Sequence, residues 1–197
     1  MINAYIGTHN SKILSVGAAK YLRKNIIEDI NITLICDENQ KSELADPVFN
    51  NYVESNLMRK GMRSAGFNIA LGVSDRSDDT LNLYIDDDLR LMEKISLNEK
   101  YSSNVYIPLY CKMIFIWRGC FSKDLSNRIV MPIIKVENIS QCYEKWDEKI
   151  KELAVANICE KIDDIWLHID KGSLLPWPPV KTELVDYLDN YISLQNI

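Results

Sequence analysis

No stretch of this chain approaches the ~20 apolar residues a membrane-spanning helix needs. Apolar runs such as Ile129 to Ile134, six residues that include Pro132, fall far short of that. Also missing is a basic leader with a small-residue cleavage site, since Met1 passes directly into Ile2-Asn3-Ala4-Tyr5-Ile6. A cytoplasmic protein with no membrane association is expected. Histidine is scarce: His9 and His168 are the only two, which excludes a histidine-rich metal site, and neither accompanies a nucleophile motif such as Gly-x-Ser-x-Gly. The five cysteines, Cys36, Cys111, Cys120, Cys142 and Cys159, are odd in number and form no Cys-x-x-Cys pair. They read as reduced, small core residues rather than a disulfide framework or zinc site. No catalytic, metal or cofactor constellation is recognisable, so the sequence predicts a protein that is not an enzyme.

An excess of basic residues is absent too. With 23 Lys and Arg against 28 Asp and Glu, the net charge is −5, and a direct nucleic-acid partner, which demands a basic patch, is not expected. The imbalance is concentrated between Asp75 and Glu93. There, seven acids (Asp75, Asp78, Asp79, Asp86, Asp87, Asp88, Glu93) face two bases (Arg76, Arg90). The triplet Asp86-Asp87-Asp88 has oxygen ligands that suit a hard cation. Adjacent strand residues point in opposite directions, however, and the Asp-x-Asp-x-Asp-Gly calcium loop is lacking, so a solvated strand end is the plainer reading and a surface for a protein partner the next.

Composition is otherwise ordinary, with 47% hydrophobic and 26% charged residues, and one domain over 1–197 is expected. A strand at 2–6 leads through Gly7-Thr8-His9-Asn10 into a helix from Ser11 to about Asn25, capped by Asn10 or Ser11. Asn31 to Cys36 reads as a strand, and Pro47 opens a helical pattern closing near Gly61. Phe67–Val73 and Thr80–Ile85 read as β-strands joined by a hairpin loop at 74–79, with Asn104–Leu109 extending a meander. Leu81, Leu83 and Ile85 would face a core and Asn82, Tyr84 and Asp86 water. A helix is expected from about Gln141 to Ile162, and a final amphipathic segment from Thr182 to Leu194. The fold class that follows is α+β: a central antiparallel sheet, a meander, with helices packed around it in two layers.

Two loops invite a functional reading. The Gly7–Ser11 loop joins a strand to a helix N-terminus, where backbone N–H groups favour an anion; with a single glycine and no phosphate-binding fingerprint, it reads first as an ordinary tight turn. Trp177, between Pro176 and Pro178, is the tryptophan expected to expose a face, and exposed tryptophan anchors interfaces.

The opening Asn3-Ala4-Tyr5-Ile6-Gly7 and the helix carrying Ser15, Ala18-Ala19 and Leu22 resemble immunity proteins of bacterial polymorphic toxin systems, family 52 in particular. Gly66-Phe67-Asn68-Ile69-Ala70-Leu71, Asn104-Val105-Tyr106-Ile107-Pro108, and Ile165-Trp166-Leu167-His168 before Pro178-Pro179 are similar as well. The match departs at Ile6, where the family would have tryptophan, and in a central strand segment without one. The resemblance implies an antitoxin that binds and neutralises a cognate toxin, often a nuclease, without chemistry of its own. Asp75, Asp78, Asp79, Asp86, Asp87, Asp88 and Trp177 are the residues expected to meet that basic partner. The alternatives are a small nucleotide-processing enzyme using the Gly7–Ser11 loop and an adaptor domain with no toxin partner.

Overall fold

The computed structural model describes residues 1–8, 11–58, 62–63, 65–101, 105–106, 114–122, 134–135, 159–160 and 166–168. In chain order the elements are β1 (Ile2–Gly7), α1 (Lys12–Asn25), β2 (Ile30–Cys36), α2 (Lys41–Leu44), β3 (Asn51–Glu54), β4 (Met62–Arg63), α3 (Ala65–Val73), β5 (Leu81–Asp86) and β6 (Leu89–Leu91). They continue with α4 (Leu97–Lys100), β7 (Val105–Tyr106), β8 (Ile114–Arg118), β9 (Ile134–Lys135), β10 (Cys159–Glu160) and β11 (Trp166–His168).

Seven strands form one sheet in the order β10-β7-β8-β5-β1-β2-β3. β1 lies parallel to both β2 and β5, and β2 parallel to β3, whereas β8 runs antiparallel to β5. The expected antiparallel meander is therefore corrected to a mixed, mostly parallel sheet. Its reason is the α1 crossover: a strand followed by a helix of fourteen residues returns to the sheet in the same direction. All six residues of β1 are buried, as a strand covered on both faces requires.

One face carries Ile2, Ala4, Ile6, Ile32, Leu34, Leu81, Leu83 and Ile85 and packs against Ala18, Ala19 and Leu22 of α1. On the other face Tyr84, Phe115 and Trp117 meet Phe67 of α3, whose ring stacks on Phe115 at 3.6 Å between centroids, and Tyr5 stacks on Trp117. This second face was expected to be wet. Asn82 and Tyr84 are instead 0% and 2% exposed, because α3 covers them and their polar atoms find partners: Asn82 Nδ2 donates to the Asp75 carbonyl at 3.0 Å and Tyr84 Oη to Asp86 Oδ1 at 2.8 Å.

Two segments change type. Residues 67–73 are helix, with Phe67, Ala70 and Leu71 buried at i, i+3 and i+4. The helix expected after Pro47 is a turn and then β3. Asp46 Oδ1 accepts from Val48 N at 3.0 Å, and Tyr52 Oη donates back to the Asp46 carbonyl at 3.0 Å, a local network that competes with helical bonding. The helix expected to reach Ile162 does not do so, since Cys159–Glu160 pair as strand with Val105–Tyr106; its earlier part and the 182–194 segment lie outside the described residues.

Candidate functional site

In an open α/β sheet, ligands bind beyond the C-terminal ends of the strands where successive connections leave in opposite directions. Here that point falls between β1 and β5. From β1 the chain crosses by α1 on one face to β2 and then reaches β3; after α3 on the other face it returns beside β1 as β5. Gly7 and Asp86 are register partners at this end.

Thr8 follows β1 and is fully buried. Its N–H donates to the Ile35 carbonyl at 3.0 Å, extending the ladder to β2. Its hydroxyl donates to Asp87 Oδ2 and accepts from Ser11 N–H at 3.2 Å. Ser11 is the α1 cap, accepting from Leu14 N at 3.2 Å. Across the boundary, Asp87 N–H donates to the Gly7 carbonyl at 3.1 Å. The strand-to-helix loop and the acidic turn are thus bonded to each other twice, once through backbone and once through side chains.

Within the triplet the three acids differ. Asp86, half-buried, accepts from Tyr84. The carboxyl of Asp87 is pushed well above the usual carboxylate range, first by burial and next by the charge of Asp88; the Thr8 hydroxyl and Arg90 pull the other way. Asp88 is buried. Beneath the turn Arg90 is fully buried. Its Nη1 donates to the carbonyls of Asp87 at 2.8 Å and Leu89 at 3.0 Å, and its guanidinium lies 5.8 Å from the Tyr21 ring centre. No three His, Cys, Asp or Glu side chains converge in metal-binding fashion among the described residues. A Mg²⁺ shared with substrate phosphates takes only one or two carboxylates from the protein, and Asp86, half-buried at the end of β5, is a candidate for that role.

The structure separates the acidic stretch. Asp75, Asp78 and Asp79 are exposed on the loop that enters β5, while Asp86, Asp87 and Asp88 lie where it ends, roughly 17 Å away at the rise of an extended strand. The loop expected to turn a hairpin joins α3 to β5, and Asp75 is occupied there, accepting from Ser77 N at 2.8 Å, Ser77 Oγ at 2.6 Å and Thr80 Oγ1 at 3.2 Å. Those donors, the Ser77 hydroxyl foremost, hold its carboxyl below the usual range. Trp177 and His9 lie outside the described residues. Cys36 is buried as expected, its thiol pushed up to about 11 by burial and by Glu54 and Asp37, but Cys120 is exposed. The sequence assigned no role to Tyr84 or Arg90 individually and named Thr8 only as part of the Gly7–Ser11 loop; Tyr84 and Arg90, polar residues inside the otherwise apolar β5 and β6, were the signal available.

The arrangement defines a class of fold first: a Rossmann-like, mostly parallel mixed sheet of the GT-A kind whose connections diverge between β1 and β5. The solved structures of two glycosyltransferases, LgtC and GlyE, share it. The galactosyltransferase LgtC, in complex with donor and acceptor sugar analogs, is 10% identical with a TM-score of 0.55, over 97% of this chain and 96% of that one. The glycosyltransferase GlyE of Streptococcus pneumoniae TIGR4 is 10% identical with a TM-score of 0.52, over 99% of this chain and 63% of that one. TarS of S. aureus is 15% identical with a TM-score of 0.47, over 66% of this chain and 30% of that one. The chain spans less than two thirds of the length of TarS and of GlyE. No family model and no curated protein matches.

This fold overturns the resemblance to immunity proteins, and with it the expected antitoxin function. LgtC and GlyE, which share the sheet, are glycosyltransferases, so the expectation of a protein that is not an enzyme loses its ground as well. No described helix is long and apolar enough to cross a membrane.

Proposed function

We propose that the chain is a transferase that binds a nucleotide-activated sugar at the C-terminal edge of β1 and β5 and passes the glycosyl group to an acceptor. The observation that carries this reading is the bonded pairing of the Thr8–Ser11 loop with the Asp86–Asp88 turn at the switch point of the sheet. The likeness in fold to LgtC and GlyE supports it. It develops the nucleotide-processing alternative, which rested on the Gly7–Ser11 loop.

The chemistry asked of such a site is charge management. As the bond between the anomeric carbon and the leaving phosphate oxygen breaks, negative charge grows on the diphosphate, while an acceptor oxygen forms the new bond and releases its proton. The α1 N-terminus, held to the edge by Thr8 and Ser11, presents backbone dipoles that favour an anion. Asp86 alone would repel a phosphate, so it is the residue that would hold a divalent cation; when bound, that cation would neutralise the diphosphate. Arg90 lies below the turn and offsets part of the carboxylate charge.

The reading takes the chain as one domain, supported by a sheet whose strands run from Ile2 to Glu160, and as cytoplasmic, supported by the free thiols of Cys36 and Cys120. Thermal melting with uridine, guanosine, cytidine and adenosine diphosphate sugars, each with Mg²⁺ or Mn²⁺, tests it. A ligand at 100 times its dissociation constant adds about 2.7 kcal/mol, and Asp86→Asn should abolish the resulting shift. No shift with any of them at millimolar concentration would overturn the proposal.

A further inference from the structure

Tyr84 is buried on β5, two residues before Asp86, and so on the same face of the strand. Its ring is held by Phe67 at 5.8 Å and Phe115 at 6.0 Å between centroids. Its hydroxyl occupies a slot made by two glycines from separate elements: a Cβ on Gly7, at the end of β1, or on Gly66, in the first turn of α3, would overlap the Tyr84 oxygen. Neither glycine is required by a left-handed backbone. Both positions are vacated for one oxygen atom, and that oxygen donates to Asp86 Oδ1 at 2.8 Å.

We propose that Tyr84 is a positioning residue, whose hydroxyl, fixed between Gly7 and Gly66, sets the orientation of the Asp86 carboxylate at the ligand edge. This rests on the reading of Asp86 as the carboxylate that faces the ligand. A side chain present only to fill the core could be phenylalanine, which would need neither an acceptor at the sheet edge nor a pair of glycines leaving room for an oxygen. A hydrogen bond to an ionised carboxylate is stronger than one between neutral groups. With the oxygen unable to move sideways, the bond fixes a direction as well as a distance.

The test compares the wild type with Tyr84→Phe, and with Tyr84→4-fluorophenylalanine, which fills the slot but donates no proton and remains informative if the phenylalanine variant does not fold. In ligand-free crystals, the wild-type Asp86 carboxylate should hold one orientation and both variants should show it rotated or divided among conformers. An unchanged carboxylate in the variants overturns the proposal, whatever the protein binds. In calorimetry with uridine and guanosine diphosphate and Mg²⁺, the variants should lose about tenfold or more in affinity. Combining either with Asp86→Asn should lose no more than Asp86→Asn alone. Equal binding by variants and wild type, or additive losses, also overturns it. If the wild type binds neither nucleotide, the proposed function is what fails for these ligands, and the crystals still decide the role of Tyr84.

Discussion

The side chains of Thr8 and Asp87, 79 residues apart in sequence, are hydrogen-bonded across the boundary between β1 and β5. Neither residue is remarkable alone; together they join the first strand-to-helix loop to the acidic turn. Their bond lies where the connections of β1 and β5 diverge, and it brings a partly buried carboxyl with it.

That carboxyl gives a pH dependence of known sign. Burial, and next Asp88, raise the titration range of Asp87 above that of an unfolded aspartate, about 3.9. The folded state therefore binds the proton more tightly. The stability this contributes is fully present below the unfolded value and is lost as pH rises through the folded one. Asp87→Asn cannot ionise and still offers Thr8 an acceptor. Relative to the wild type it should gain stability between pH 5 and pH 8 in urea denaturation. A constant difference across that range would show that Asp87 titrates normally.

Gly66→Ala should destabilise the fold by about 1–3 kcal/mol, the usual range for overpacking, because its methyl would overlap the Tyr84 oxygen. In a Tyr84→Phe background the nearest remaining ring atoms stand 3.0 and 3.1 Å away, tight but without overlap. The loss should then be smaller. A double-mutant cycle by chemical denaturation measures the coupling, and strictly additive losses would rule out the shared slot.

Glu28 caps α4 from a distant loop. Its carboxylate accepts from Ser96 Oγ at 2.7 Å, Leu97 N at 3.2 Å and Asn98 N at 2.8 Å. Burial pulls its titration up, yet these donors, Asn98 first, outweigh it and hold the carboxyl below its ordinary value. The stabilisation is present above the unfolded value of about 4.3 and lost as pH falls through the folded one. Glu28→Gln should cost about 1 kcal/mol at pH 7 and progressively less toward pH 3. Equal deficits at both pH values would mean that charge plays no part in the cap.

Local chemistry determined the elements whose signals are local. The β-branched residues of β2 and the apolar alternation of β1 and β5 made those segments strands, and Ser11 with Arg23 and Lys24 bounded α1. Composition and charge were equally legible, as was the passage from β1 through the Ser11 cap into α1. What strands pair with was not. Leu81, Leu83 and Ile85 alternate with Asn82, Tyr84 and Asp86 whether the second face meets water or a helix, and only α3 lying on it decided that those polar groups are buried and paired. Likewise, Phe67 to Val73 is apolar enough for either strand or helix, and the aromatic face it covers selected the helix. The acidic stretch is continuous in sequence, but a strand of six residues runs through it, placing Asp75 at one edge of the sheet and Asp86 at the other. Parallel direction, set by the crossover through α1, turned the second of these edges into the candidate site. A period of two residues tells how a strand is faced, and nothing in it tells which neighbour the chain brings alongside.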